Sequence, residues 1–218
     1  MVISKLKLLG LFLLMESLML MGSCKAQRVP KRIQNNFTNC YSTTRTDILS
    51  QLDIDGYYVI RQINENVVQE EQSKSFDTTE FYMLFYEDGT VLFNVYEPNA
   101  GYGSDIQRYL KRLYFNGTTD SFNNWYYWGV YKISRDTLVT QVIKNKSFLS
   151  LSPWEAWERK YLIRDRKTLE YLGKRDLEHQ KSKQLLLFGT FLPVVFVSYP
   201  FIPPHNNWLK KQSWTHCK

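Results

Sequence analysis

"EFYMLFYEDGTVLFNVY" (80–96) decides the fold class. Two apolar runs flank Glu87-Asp88-Gly89, and Asp-Gly supplies the positive φ that a tight hairpin turn requires. Along the first run Phe81, Met83 and Phe85 point to one face, and Tyr82, Leu84 and Tyr86 to the other. Both faces are apolar or aromatic, so the strand must be covered on two sides or form a barrel wall.

The same plan recurs on both sides of this unit. "GYYVIRQI" (56–63) is rich in aromatic and β-branched residues. "WYYWGVYKISRDTLVTQVIKN" (125–145) reads as two strands around Ser134-Arg135-Asp136, and "RKYLIRDRKTLEYLGK" (159–174) does so around Asp165-Arg166-Lys167. The turns are unevenly spaced, which excludes a solenoid repeat. The expectation is a mainly β protein: an antiparallel meander closed into a barrel, which removes exposed edges, with one to three short helices.

Helical spacing appears at 44–52, where Ile48, Leu49 and Leu52 share a face. It recurs at 104–115, where Ser104 is a cap candidate ahead of Ile106, Tyr109, Leu110 and Leu113. "SPWEAW" (152–157) has the form of a capping box with proline at the first helical position, so one or two helical turns are expected before a strand from Lys160. Residues 174–184 read as a charged loop. The apolar run 185–202 is broken by Gly189, Pro193 and Pro200 and reads as two short strands rather than a membrane span. Residues 202–211 read as a proline-rich exit and a terminal turn.

The amino terminus has the layout of an export signal: Lys5 and Lys7, an apolar stretch over 8–21, then small residues. Glu16 would be costly near a bilayer centre, which argues against a span. "MGSC" (21–24) resembles the lipobox of bacterial lipoproteins, in which Cys24 takes a lipid and becomes the new N-terminus. The rival is ordinary signal-peptidase cleavage after Ala26. The expected organisation is a signal peptide over 1–23, a lipidated start and polar tether over 24–43, and one β-barrel domain over 44–218. The expected location is the cell envelope, membrane-anchored on a periplasmic or outer-membrane face, with secretion as the alternative. Sequons at Asn36, Asn116 and Asn145 matter only in a eukaryotic secretory route.

Of the three cysteines, Cys24 is consumed by lipid or removed. Cys40 and Cys217 then remain as a disulfide candidate joining the two ends of the domain. His179, His205 and His216 lack ligand-like spacing, so neither a metal site nor a cofactor is expected. The formal charge is +7, but the cations are scattered in short pairs such as Arg159-Lys160 and Lys210-Lys211 with acids between them. That pattern reads as a solvated surface and gives no nucleic-acid partner.

The sequence contains no nucleophile elbow, Walker loop, dinucleotide-binding glycine pattern or zincin motif, and no catalytic residue is assigned. Glu155 and Glu158 would share a helical face, but capping by Glu155 explains half of that pair. The functional lead is aromatic: the chain has Tyr 15, Phe 13 and Trp 6. Tyr57, Tyr82, Tyr86, Trp125, Tyr127 and Tyr131 are candidate ligand-binding residues, the wall of an apolar cavity with hydroxyl and indole handles. The alternative is that these rings fill the core or pack an outer face beneath helices.

"LDIDGYYV", "FYMLFYEDGTVLF", "WGVYKISRDTLVTQVI" and "KYLIRDRKTLEYLGK", in this order over about residues 50–175, resemble the lipocalin-like lipoproteins of bacterial envelopes. Gly56-Tyr57-Tyr58 is similar to the glycine-x-tryptophan of the first lipocalin strand, with Tyr58 in the tryptophan position. The resemblance implies a calyx-like barrel that binds a small apolar ligand or lipid, and implies no reaction. The expected function is therefore a lipid-anchored envelope protein, tied to the membrane at Cys24, that binds such a ligand. The alternative is an assembly lipoprotein with a filled barrel that contacts another envelope protein. A hydrolase using a carboxylate is the weakest reading.

Overall fold

The computed structural model describes residues 29–40, 48–67, 74–93, 106–116, 127–145, 154–178, 190–204 and 208–216. The helices are α1 (Lys31–Asn36), α2 (Ile48–Gln51) and α3 (Ile106–Asn116). The strands are β1 (Gly56–Val67), β2 (Lys74–Phe85), β3 (Thr90–Phe93), β4 (Tyr127–Ser134), β5 (Thr137–Asn145), β6 (Trp154–Asp165), β7 (Thr168–Asp176), β8 (Thr190–Phe191) and β9 (Val194–Ser198). Two 3-10 turns, Trp208–Lys211 and Ser213–Thr215, follow.

Each strand from β1 to β6 pairs antiparallel with the next, β7 pairs with β9, and β9 returns to β1. The result is a closed eight-stranded meander, the expected lipocalin-like barrel, with β8 as an extra strand on β1. Closure leaves the ring no free edge. The last seam is short: Thr168 and Leu169 of β7 pair with Val195 and Val194 of β9.

The tight turns follow local chemistry. Gly89 sits at φ 81 and donates its N–H to the Tyr86 carbonyl at 3.0 Å, as Asp-Gly requires. At the β4–β5 turn the positive φ of 57 falls on Arg135, an uncommon place for a side chain. The register between β6 and β7 shifts at Lys160/Tyr161, next to Gly173 at φ 136. That shift is a bulge, and only glycine takes its backbone angle without strain.

Alternation along the strands builds two cores. Tyr58, Ile60, Met83, Phe85, Val91, Phe93, Tyr131, Leu138, Val142, Tyr161, Leu169 and Val194 come from all eight ring strands and fill the lumen, with Ile48 and Leu52 of α2 joining them. Their neighbours Tyr57, Val59, Tyr82, Leu84, Leu92, Trp128, Val130, Ile143 and Ala156 face outward. There they pack beneath α1, α3 and the carboxy-terminal segment. The two-sided apolar reading of 81–86 therefore holds in both respects: Phe81, Met83 and Phe85 belong to the lumen, and Tyr82, Leu84 and Tyr86 to the outer core.

Three local expectations are corrected. "SPWEAW" is not helical from Trp154 onward, because β6 starts there and pairs Trp154 with Asn145 of β5. Ladder pairing and burial of Trp154 and Ala156 outweigh the capping signal. Residues 29–40, expected to be part of a polar tether, are docked on the barrel: Ile33 and Phe37, one helical turn apart, are both buried. Burying two such side chains is worth about 2 kcal/mol each, and α1, which has no side-chain cap, is too short to persist alone. Leu49 is exposed, while Ile48 and Leu52 carry the buried face of α2.

Candidate functional site

The lower lumen is a packed aromatic floor. The Tyr58 ring meets Phe85 at 5.3 Å and Phe196 at 5.2 Å, and Phe85 meets Tyr131 edge-on at 4.9 Å. The Tyr58 hydroxyl donates to the Arg166 carbonyl at 2.7 Å, which ties the β6–β7 turn to the barrel end closed by α2. Burial raises the Tyr58 phenol pKa far above its ordinary value. The Tyr131 hydroxyl is also satisfied, by the Tyr86 carbonyl at 2.8 Å.

Above the floor the chemistry changes. On β6, Trp157, Arg159 and Tyr161 alternate onto the luminal face. Thr140 on β5 and Lys174 on β7 pair directly with Arg159 from either side. The Arg159 guanidinium lies 3.8 Å from the centre of the Phe93 ring. β6 and β3 are three strands apart in the ring, so this cation–π contact crosses the lumen. Phe93 stacks on Phe81 at 6.2 Å. Tyr161 leads through Tyr171 (5.5 Å) to Phe191 (4.2 Å). Lys174 places its ammonium 4.6 Å from the Trp157 ring, whose indole N–H donates to Glu155 Oε1 at 2.8 Å.

The electrostatics are those of cations packed against aromatic rings. Burial and the neighbouring Arg159 lower the Lys174 pKa, while Glu155 and Asp176 oppose that shift. Burial pushes the Tyr171 phenol up to about 12, partly offset by Arg159. Tyr161 is raised further for the same reason. Three polar atoms in this tier, Arg159 Nη1, Tyr161 OH and Thr140 Oγ1, are buried with no hydrogen-bond partner among the described residues. A buried group left in that state costs about 1–3 kcal/mol, and more when charged. Phe81, Trp157, Arg159, Tyr171, Lys174 and Phe191 are half-buried, as is Phe196 below them, whereas Tyr58, Phe85 and Tyr131 of the floor are buried.

The candidate residues divide between the two cores. Tyr131 is luminal, but Tyr57, Tyr82 and Tyr86 stand outside the wall. Tyr57 meets Tyr82 at 5.9 Å and Tyr199 at 6.2 Å, and Tyr86 donates to the Pro203 carbonyl at 3.2 Å. For these three the alternative of an outer face packed beneath helices describes the arrangement. Tyr127 opens β4, and Trp125 lies outside the described residues. Glu155 and Glu158 fall on opposite faces of β6: Glu155 serves Trp157, whereas buried Glu158 pairs with Arg175 at 2.9 Å on the outer wall.

Arg159, Lys174, Trp157 and Tyr161 were not singled out by the sequence reading. Their signal was period-2 alternation in "WERKY", which sends Arg159 inward and Lys160 outward although the two read together as a surface pair. Cys40 is disulfide-bonded; Cys24 and Cys217 lie outside the described residues. Among the described residues, no group of three or more His, Cys, Asp or Glu side chains is placed to hold a metal ion. Nor is any described helix long and apolar enough to cross a membrane. No protein-family model, curated protein or solved structure matches the chain.

Proposed function

We propose that this is an exported, lipid-anchored barrel protein that binds a small apolar ligand or lipid in its upper lumen, within the cell envelope. The carrying observation is the change in the lumen from a floor whose rings Tyr58, Phe85 and Tyr131 are buried to a tier in which Phe81, Trp157, Tyr171 and Phe191 are half-buried. Side chains at that level offer large apolar surface with a few polar groups, the make-up of a small-molecule site. No reaction is part of the reading. The lipobox-like "MGSC" supports the anchor, and the basic and apolar start supports export.

Native mass spectrometry of the full chain purified from its own membrane fraction tests the binding reading. A bound small molecule that is released on unfolding supports it, and a ligand-free species under gentle extraction counts against it. Replacing Cys24 with serine tests the anchor: partition into the membrane fraction must fall.

One observation favours the assembly reading as a second choice. Tyr114 and Phe115 of α3 are 44% and 64% exposed and form an aromatic cluster with Phe201 at 5.5 Å from each. If that cluster contacts an envelope protein, replacing both residues with serine abolishes cross-linking there without unfolding the barrel.

A further inference from the structure

Arg159, Thr140 and Tyr161 are adjacent on the luminal faces of β5 and β6. Thr140 pairs directly with Arg159, and Tyr161 lies two residues further along the same face. Each presents a hydrogen-bond donor: a guanidinium and two hydroxyls. Among the described residues all three atoms are buried without a hydrogen-bond partner; Arg159 lies over Phe93, which stacks on Phe81, and Tyr161 meets Tyr171. The luminal acids act one step nearer the end at which β6 begins. Glu155 holds the Trp157 indole, and Asp176 sits opposite Trp157 and acts on Lys174. Donors without acceptors among the described residues, with a further cation at Lys174 and aromatic rings alongside, match one ligand chemistry.

We infer that the luminal ligand is a single-chain amphiphile with an anionic head, whose carboxylate or phosphate oxygens accept hydrogen bonds from Arg159, Thr140 and Tyr161 while its apolar tail lies along Phe81, Trp157 and Phe191. The inference rests on the ligand-binding reading above and specifies the chemical class. An oxyanion supplies the acceptors the three donors lack, and charge-assisted bonds to a guanidinium are the strongest of their kind. It also places negative charge beside Arg159 and Lys174, offsetting the Arg159 repulsion that, after burial, lowers the Lys174 pKa.

The test compares decanoate, decyl phosphate and decanol, each below its micellar concentration, titrated into the full chain and followed by tryptophan fluorescence and calorimetry. At least one of the two anions must bind about 10- to 100-fold more tightly than decanol, and the stronger of them identifies the head group. Arg159→Met must remove that preference, lowering anion affinity at least several-fold more than decanol affinity. Where Arg159→Met alters the circular dichroism spectrum, Arg159→Lys with Tyr161→Phe replaces it, and the anion preference must fall at least several-fold. Equal affinity for all three probes overturns the anion assignment and leaves the ligand-binding reading intact. An anion preference that survives both sets of variants places the anion elsewhere and also overturns the assignment. Binding of none of the three counts against both.

Discussion

Gln141 Oε1 accepts the backbone N–H of both Thr38 and Asn39, each at 2.8 Å, so one buried side chain on β5 holds the amino-terminal segment against the barrel. Its amide nitrogen is equally committed, donating to Glu158 at 2.7 Å and to the Thr38 hydroxyl at 3.1 Å. Asn39 adds a bond to the Val139 carbonyl at 2.9 Å. The segment from Val29 to Cys40 is thus fixed against the barrel.

Gln141→Leu keeps the volume and leaves two backbone donors and Glu158 short of partners. The expected cost is about 2–4 kcal/mol, with hydrogen exchange rising first over residues 30–40. Thermal unfolding and peptide-resolved exchange check both parts.

Cys40 is disulfide-bonded, and only Cys24 and Cys217 are available within the chain. Phe37 meets Trp214 edge-on at 5.2 Å, each three residues before a cysteine. The expected link is Cys40–Cys217, detected as one disulfide-joined peptide in a non-reducing digest. A Cys24–Cys40 peptide would contradict both that pairing and lipidation of Cys24.

The Glu80 carboxyl has its pKa held below the ordinary glutamate value by hydrogen bonds from the Tyr82 hydroxyl first and from Arg61 second, at 2.7 Å each. Because the folded pKa is the lower one, the stabilisation is fully present above the unfolded pKa and is lost as pH falls through the folded one. Tyr82→Phe should raise the Glu80 pKa and shrink the acid-side loss of stability. A carbon-detected NMR titration of the Glu80 carboxyl reads the shift.

Tyr58→Phe removes one of the two hydrogen bonds on the Arg166 carbonyl, the other coming from the Asp53 N–H at 3.0 Å. The ring contacts remain, so the cost should be about 1 kcal/mol. Tyr58→Ala opens the floor and should cost about 3–5 kcal/mol. Denaturant midpoints separate the two.

The hairpins and the closure of the sheet were legible because their signals are local: Asp88-Gly89 fixes a turn, and apolar residues on both faces of 80–86 require two covers. The site was less legible because alternation assigns residues to two faces without saying which face is the lumen. Tyr57, Tyr82 and Tyr86 share composition with luminal Tyr131, yet α1, α3 and the segment around Tyr199 cover them from outside. The same ambiguity hid Arg159. Beside Lys160 it looks like half of a surface pair, and only its contact with Phe93 across the barrel reveals an inward cation. Docking of 29–40 was hidden for a related reason, since its partners, Gln141 and Leu177, lie more than a hundred residues away.

The most direct measurement is a nitrogen-15 indole spectrum of the full chain titrated with decanoate and, separately, with decanol. Trp157 lies in the lumen beside Lys174, whereas Trp128 and Trp154 pack on the outer wall. Binding in the upper lumen predicts a saturable shift of the Trp157 resonance with at least one probe, while Trp128 and Trp154 stay in place. Saturable shifts confined to Trp128 and Trp154, or no saturable shift with either probe, would contradict a luminal binding site.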